Sequence, residues 1–274
     1  MSEEQFEATP LYVVPILATL LISVSCAFLI MQTGLELPMV TVLPETGYGP
    51  LFNALLFVLA AGFGATLIYF LLKRGVRLFL RLLMGTAFSA LSFSLVVFYS
   101  ELFFVAVDIE VPVAMILLLA LFAAAIVVLE VFLRRDRFYG IIVLALGGAA
   151  GTLLGASIPV LSTVLILLAL AVYDVVAVFR GPIGKIAASG LEHLPGASFS
   201  FRDVYVGLGD LTFYSMLVSR MFLSFGLVAC AAAILGVLLG AFLSFKMVER
   251  KGMFPGLPFS VVLGLLAGFM TVLL

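Results

Sequence analysis

Long apolar stretches separated by short polar connections run along almost the whole chain. A helix needs roughly 20 apolar residues to cross a hydrocarbon layer about 30 Å thick, and charges, prolines and glycines divide this sequence into nine stretches near that length. The pattern therefore predicts nine transmembrane helices, at 11–32, 50–72, 78–100, 111–133, 139–157, 159–180, 204–220, 223–246 and 257–274.

Composition agrees with this pattern. Of 274 residues, 65% are hydrophobic and 11% charged, and the mean hydropathy is +1.35, which lies outside the range of soluble globular domains. The fold class predicted is an all-α polytopic membrane protein, with the lipid bilayer as its surroundings and no nucleic-acid partner. The first ten residues carry three glutamates and no base, so we expect the first helix to be retained and not to be a signal peptide.

The basic residues lie almost entirely on one side of the predicted helices. If the N-terminus is cytoplasmic, alternate connections on that side contain 13 of the 14 lysines and arginines, and only Arg220 falls outside. The positive-inside rule then predicts nine helices in the cell membrane, a cytoplasmic N-terminus and an external C-terminus. The 13 basic residues are Lys73, Arg74, Arg77, Arg81, Arg134, Arg135, Arg137, Arg180, Lys185, Arg202, Lys246, Arg250 and Lys251.

Two aspartates interrupt this apolar pattern. Asp174 lies inside the apolar run 164–179, and Asp210 directly precedes another apolar stretch. An aspartate at the centre of a bilayer costs about 2.5–3.5 kcal/mol even on a lenient scale, so each is a candidate functional residue. Counted from Arg180 and Arg202 at 1.5 Å per residue, both acids lie about 9–12 Å inside the cytoplasmic boundary. Sequential helices are usually neighbours, so we expect the two carboxylates to face each other.

A helix breaker is predicted at the same depth. The segment Pro255-Gly256-Leu257-Pro258 precedes the last helix, so that helix begins with irregular backbone. Irregular backbone at membrane depth is tolerated only where it is buried in protein or lines a watery cavity. The sequence thus predicts a cavity near the aspartates.

Two chemistries suit a pair of membrane carboxylates. Two acids that share one proton can hydrolyse a peptide bond, because one takes a proton from water while the other gives one to the carbonyl oxygen. Gly207 and Gly209 would let a substrate backbone approach Asp210. Alternatively, the acidic pair would serve a proton-coupled transporter or a cation channel. The breaker at Pro255 has no counterpart in the first half of the chain, which disfavours the broken-helix repeats of transporters.

Three motifs resemble those of the GxGD intramembrane aspartyl proteases, the family that includes presenilin and signal peptide peptidase. The motifs are Tyr173-Asp174, Gly207-Leu208-Gly209-Asp210 and Pro255-Gly256-Leu257. Their order, spacing and nine-helix layout match that family over nearly the whole chain, and the segment 207–215 is especially similar to presenilin. The predicted orientation resembles that of presenilins and not that of signal peptide peptidases. The sequence has no N-glycosylation acceptor, which fits a prokaryotic, archaeal homologue better than a eukaryotic subunit.

This resemblance implies a function and a division of the chain. It implies a presenilin-like bundle in which Asp174 and Asp210 are catalytic, supported by Tyr173, Gly207, Leu208, Gly209, Pro255, Gly256 and Leu257. Gly256 departs from the alanine that is usual in the family, and we expect the change to be tolerated. The chain would divide into a six-helix part at 1–180, a flexible cytoplasmic connection at 181–203 and a three-helix part at 204–274.

The expected partners are single-span membrane proteins or peptides as substrates. We expect no cofactor and no obligatory accessory subunit. No metal is expected either, because the one histidine, His193, has no cluster of cysteines or histidines around it. Glycines at four-residue spacing predict close helix contacts, inside the bundle or at the seam of a homo-oligomer. They are Gly147, Gly151 and Gly155, the pair Gly236 and Gly240, and the pair Gly264 and Gly268.

Overall fold

A computed structural model describes residues 8–35, 37–133, 136–180, 198–201, 204–251 and 253–273, and most of them are helical. A 3₁₀ helix at Pro10–Val13 precedes the first α-helix. The α-helices are α1 (Val14–Thr33), α2 (Gly49–Lys73), α3 (Arg77–Ala106), α4 (Val113–Leu133), α5 (Asp136–Ser157), α6 (Val160–Phe179), α7 (Leu208–Lys251) and α8 (Leu257–Leu273). Two antiparallel strands, β1 (Ser198–Phe201) and β2 (Val204–Gly207), lie between α6 and α7.

The helices begin and end where the sequence contains prolines and glycines. Pro50 occupies the first turn of α2 and Pro159 directly precedes α6, positions where the missing N–H of proline costs no helical hydrogen bond. Gly34 ends α1 with a φ of 61°, the left-handed conformation that glycine adopts most easily. These signals explain why the predicted bounds of the first six helices lie close to the observed ones.

Helix α7 is divided at Gly226. Its 44 residues would measure about 66 Å if straight, twice the hydrocarbon thickness. The backbone of Gly226 leaves the helical conformation, with φ 84° and ψ −171°. Leu217 and Val237 lie on either side of Gly226 in the sequence. Their side chains both approach Gly264 in α8, at 3.2 and 2.7 Å from its Cβ position, the place that a Cβ atom would occupy on that glycine. The two segments of α7 therefore fold back on each other and pack against the same helix.

The chain is an integral membrane protein with several crossings. Within the described residues, seven helices are long and apolar enough to span a membrane, and α8 is a shorter apolar helix of 17 residues. Many large apolar side chains are exposed, such as Phe63 at 72% and Phe122 at 66%, as expected for surfaces that face lipid. The count of nine crossings stays a prediction.

The predicted start of the seventh helix is wrong, and so is the depth of Asp210 that was counted at helical rise from Arg202. The helix expected at 204–220 begins at Leu208, because Val204–Gly207 form β2 and pair with β1 from Ser198↔Gly207 to Phe201↔Val204. Valine and tyrosine favour a strand where a partner strand is present. The connection predicted to be flexible, 181–203, lies outside the described residues except for β1, and its mobility stays a prediction.

The glycines at four-residue spacing pack helices inside the bundle. A Cβ at Gly147 would lie 2.9 Å from Leu211 Cβ, and Gly151 faces the backbone of Thr212, so α5 contacts α7 closely. Gly236 and Gly240 similarly face the backbone of α8. The prediction of close internal packing is confirmed at these positions, while a homo-oligomer stays untested.

Arg220 holds the carboxyl end of α5. Its Nε donates to the carbonyl oxygen of Gly155 at 2.7 Å and its Nη2 to that of Ala156 at 3.0 Å, while Nη1 donates to Ser224 at 3.1 Å. The last carbonyls of a helix have no helical partner and carry partial negative charge, which a guanidinium satisfies. Arg220, the one basic residue outside the 13 that are predicted to be cytoplasmic, therefore has a structural role.

Candidate active site

Asp174 lies five residues before the end of α6, at the amino end of α8. Its Oδ2 accepts a hydrogen bond of 3.1 Å from the backbone N–H of Leu257, the first residue of α8, and the N–H of Gly256 also interacts with this carboxyl group. The amino end of a helix has unpaired N–H groups and partial positive charge, so it stabilises a carboxylate. The position of Asp174 is therefore set by α8 as well as by its own helix.

Asp210 lies in the first turn of α7, directly after β2. The strand ends at Gly207, and the Cβ position of that glycine is 3.7 Å from Oδ2 of Asp210. A side chain at position 207 would therefore lie against the carboxyl group. Gly209 is exposed, and the nearest atom to its Cβ position, leaving out its own helical neighbours, is Cε2 of Phe213 at 4.0 Å. The two glycines leave room beside Asp210.

The two carboxyl groups meet at Gly256. Asp174 binds the N–H that follows Gly256, and Oδ2 of Asp210 lies 3.0 Å from the Cβ position of Gly256 itself. The charges of the two aspartates are close enough to interact. Both residues are half-buried, so the pair is not sealed from its surroundings by the described residues. The fold thus brings Asp174 and Asp210 to the two residues, Gly256 and Leu257, of the segment that was predicted to lie near them.

Three hydroxyl groups converge on the carbonyl oxygen of Gly256. Tyr214 Oη donates to it at 3.0 Å, Ser260 Oγ at 3.3 Å and Ser244 Oγ at 3.4 Å. Sequence reasoning assigned no role to these residues. Tyr214 follows Asp210 by four positions, which places both residues on one helix face, so the spacing in the sequence was a signal that Tyr214 lies near the site. Ser260 has the same spacing from Gly256, whereas Ser244 approaches from the second segment of α7 and carried no such signal.

Some of the predicted site residues direct their side chains away from the two aspartates. Tyr173 is beside Asp174 in sequence, but its ring lies over Gly62 of α2, with Cε2 3.5 Å from the Cβ position of that glycine. The side chain of Leu208 reaches Gly147 of α5, at 3.4 Å from its Cβ position. Pro255 is buried directly before Gly256. Tyr173 and Leu208 therefore pack neighbouring helices around the site.

The described residues contain no group of three or more histidine, cysteine, aspartate or glutamate side chains that could hold a metal ion. His193 lies outside them.

Comparison with known proteins identifies the fold. No protein-family model and no curated protein matches the sequence. Among solved structures the chain is similar to a presenilin family intramembrane aspartate protease in two crystal forms. The form in space group C222 aligns with 97% of this chain and 100% of its own, at 21% identity and a TM-score of 0.68. The form in space group P2 aligns over 96% of both chains, at 21% identity and a TM-score of 0.66. The chain therefore has a presenilin-type fold over nearly its whole length.

Proposed function

We propose that this protein is an intramembrane aspartyl endopeptidase that hydrolyses peptide bonds in or near transmembrane segments, using Asp174, Asp210 and water. The observation that carries the proposal is the meeting of the two carboxyl groups at Gly256, at the amino ends of two helices. The fold supports it, since the structures to which the chain is similar are of an intramembrane aspartate protease.

The pair would hydrolyse a peptide bond by acid–base catalysis. Two carboxyl groups at close range share one proton, because a second negative charge beside the first is unfavourable. The ionised member removes a proton from water as that water attacks the peptide carbonyl carbon. The protonated member donates its proton to the carbonyl oxygen, which gives a tetrahedral intermediate with two hydroxyl groups. As its carbon–nitrogen bond breaks, the acid that took the proton from water gives it to the leaving nitrogen, and one hydroxyl returns a proton to the other carboxylate, so that an amine and a carboxylic acid are released.

The hydrogen bonds distinguish the two acids. Asp174 accepts backbone N–H donors at the amino end of α8, as an ionised carboxylate does. Asp210 lies beside Gly207 and Gly256, neither of which presents a side chain to it. We therefore assign the removal of the proton from water to Asp174 and the donation of a proton to Asp210. Gly207, Gly209 and Gly256 leave space for the substrate backbone.

Strand β2 offers a place for the substrate. It ends three residues before Asp210, and in a two-stranded sheet each strand has one unpaired edge. An extended peptide can add to such an edge through backbone hydrogen bonds. A helical substrate would first unwind near the site, and its extended segment would then lie beside Asp210.

We further propose the arrangement in the membrane and the partners. The chain would cross nine times, with a cytoplasmic N-terminus and an external C-terminus, and the parts 1–180, 181–203 and 204–274 would form one membrane domain. Substrates would be single-span membrane proteins or peptides, without obligatory accessory subunits. Tyr173, Leu208, Pro255 and Leu257 would support the site through packing. A proton-coupled transporter or cation channel is the alternative, which the similarity to a protease fold does not favour.

The deciding experiment is incubation of the purified protein in liposomes with a single-span substrate carrying a tag at each end. We expect two fragments by mass spectrometry, cut within or near the transmembrane segment, and an inhibitor that mimics the tetrahedral intermediate should prevent the cut. Proton and cation flux across the same liposomes is measured in parallel. Flux that depends on Asp174 and Asp210, without fragments, would favour the transporter or channel instead.

A further inference from the structure

One peptide group connects the hydroxyl cluster to Asp174. The carbonyl of Gly256 and the N–H of Leu257 belong to the same peptide unit, which is planar, and in a trans peptide these two groups point in opposite directions. The oxygen accepts the hydroxyl of Tyr214 at 3.0 Å, and the N–H donates to Oδ2 of Asp174 at 3.1 Å. Fixing the oxygen on one side therefore fixes the direction of the N–H on the other.

The groups that hold the oxygen are themselves immobilised. Tyr214 is 2% exposed, and both Ser244 and Ser260 are buried as well. Tyr214 lies one helical turn after Asp210, so its ring and the Asp210 carboxyl group share one rigid segment of α7. Asp174 belongs to a different helix, α6. Within the described residues, the hydrogen bonds that join Asp174 to α7 run through the Gly256–Leu257 peptide, to which Tyr214 donates from the segment that carries Asp210 and Ser244 from the segment after Gly226.

We propose that Tyr214 is a positioning residue of the protease proposed above, and that the Gly256–Leu257 peptide transmits its hydroxyl contact to Asp174. The phenol hydroxyl orients the peptide plane, the plane aims the Leu257 N–H, and that N–H holds the Asp174 carboxyl group at a fixed distance from Asp210. This inference rests on the proposed function for its catalytic consequence, although the geometry of the peptide can be tested without any activity.

Two physical effects make the hydroxyl more than a packing group. A peptide plane with its oxygen bound on one side resists rotation about its flanking bonds, so the N–H stays aimed at the carboxyl oxygen. A hydrogen bond to the carbonyl oxygen also polarises the peptide and strengthens its N–H as a donor. Replacing Tyr214 with phenylalanine removes only the hydroxyl, so the ring still fills its place between the helices.

The sequence permits a local measurement of this peptide. Pro255 and Pro258 have no backbone N–H, so the segment 255–258 has two exchangeable amides, those of Gly256 and Leu257. Hydrogen exchange, followed by mass spectrometry on overlapping peptides that span 253–260, therefore reports the two amides at Asp174. The full-length protein in detergent is compared as wild type, Tyr214→Phe, Ser260→Ala and Asp174→Ala.

The matched control is Tyr99→Phe. Tyr99 also donates its hydroxyl to a backbone carbonyl, that of Ala149 at 2.8 Å, but in α5 and away from the two aspartates. We expect exchange at 255–258 to be faster by about tenfold in Tyr214→Phe and in Asp174→Ala, the size of one net hydrogen bond, and unchanged in Tyr99→Phe. Ser260→Ala should give a smaller increase, since Tyr214 still holds the oxygen.

Activity provides the second readout on the same samples. With a single-span substrate, Tyr214→Phe should lower kcat by about tenfold and leave KM within about twofold, because the hydroxyl orients the acid and does not bind substrate. If exchange at 255–258 in Tyr214→Phe equals that of the wild type, the inference is overturned, even if kcat is reduced, because Tyr214 would then act without changing this peptide. Faster exchange without any cleavage by the wild type would support the peptide link and contradict the protease, so the two failures are distinguishable.

Discussion

The backbone N–H of Leu257 donates a hydrogen bond to the carboxyl group of Asp174, across 83 positions of sequence. Leu257 is the first residue of α8, and Asp174 lies near the end of α6. A carboxylate inside a membrane protein needs such partners, because no water is present in the hydrocarbon to satisfy it. The last helix therefore contributes to the site through its backbone, and the side chain of Leu257 is buried in the core.

The first prediction concerns the two acids. Replacing Asp174 or Asp210 singly with asparagine should reduce cleavage at least about a thousandfold, because either loss removes one member of the acid–base pair. Asparagine keeps nearly the same shape, so folding should persist, as checked by size exclusion and thermal unfolding in detergent. Cleavage above background in either folded variant would contradict the assignment of a catalytic pair.

The second prediction concerns Gly256. A Cβ there would lie 3.0 Å from Asp210 Oδ2 and 3.4 Å from Tyr214 Oη, distances that a shift of a few tenths of an ångström in two side-chain ends can relieve. We therefore expect Gly256→Ala to cleave within about threefold of wild type, with stability equal or raised by up to about 1 kcal/mol through the less flexible unfolded chain.

Gly256→Val is the matched comparison. Its two additional methyl groups would point into the space between Asp210 and Tyr214, so cleavage should fall at least about a hundredfold while the protein still folds. Kinetics on both variants with one substrate measure the difference. Equal loss in Gly256→Ala and Gly256→Val would show that glycine itself, and not the available space, is required at this position.

Much of the fold was predictable because the lipid environment imposes a simple pattern. Apolar runs bounded by prolines and glycines gave the bounds of α1 to α6 to within a few residues, except that α3 extends to Ala106. The breaker at Pro255 and the two intramembrane acids were recognisable because each is costly without a partner. Those three features predicted that the two carboxyl groups would face each other and that the irregular segment 255–258 would lie near them.

The remaining details depend on tertiary contacts that no local pattern records. The run Val204-Tyr205-Val206 is as compatible with a helix as with a strand, and only pairing with β1 decides it. Tyr173 adjoins Asp174 in sequence, yet successive helical residues point about 100° apart, so its ring reaches α2 instead. The hydroxyl of Ser244 reaches Gly256 because the second segment of α7 packs against α8.

The third prediction concerns the contact between the second segment of α7 and α8. A Cβ at Gly240 would lie 2.5 Å from the Cα of Ser260 and still closer to the backbone of Phe259, which cannot move without shifting α8. Gly240→Ala should therefore lower the free energy of unfolding by about 1–3 kcal/mol. Gly64→Ala is the control, because nothing lies within 4 Å of its Cβ position in α2, and alanine there should stabilise by about 0.5–1 kcal/mol. Unfolding in mixed micelles measures both, and equal effects would contradict the packing argument.

The fourth prediction concerns Arg220. Its guanidinium supplies three hydrogen bonds, two of them to the last carbonyls of α5. Arg220→Ala should lower the free energy of unfolding by about 1.5–3 kcal/mol, the usual effect of losing hydrogen bonds to a charged group. Arg74→Ala, which removes a side chain that lies 4.4 Å over the Phe70 ring at the end of α2, should cost about 1 kcal/mol or less. Larger destabilisation by Arg74→Ala would argue against the capping role.

The fifth prediction concerns the orientation in the membrane. Two hydrogen bonds show which segments share an end of the helix bundle. In the first group, Ala8 donates its N–H to Glu249 near the end of α7 at 2.9 Å. In the second group, Val40 donates its N–H to the carbonyl oxygen of Ser157 at the end of α5 at 3.0 Å. With 13 of 14 basic residues in connections on the side of the first group, that side should be cytoplasmic. Single cysteines at Val42→Cys and Leu273→Cys should then react with an impermeant maleimide added outside intact cells, and Ser189→Cys only after lysis.

The native cysteines provide the baseline for that experiment. Cys26 lies within α1 and Cys230 is buried in α7, so the wild type should remain unlabelled by the same reagent. Labelling of Ser189→Cys in intact cells would reverse the orientation. With nine crossings, eight lie between the first connection and the C-terminus, so Val42→Cys and Leu273→Cys should be labelled from the same side. Labelling of the two from opposite sides would contradict nine crossings. Protection of Ser189→Cys until lysis would leave Asp174, six residues before Arg180, about 9 Å inside the cytoplasmic boundary at the 1.5 Å rise of a helix, whereas its labelling in intact cells would place Asp174 at that depth below the opposite boundary.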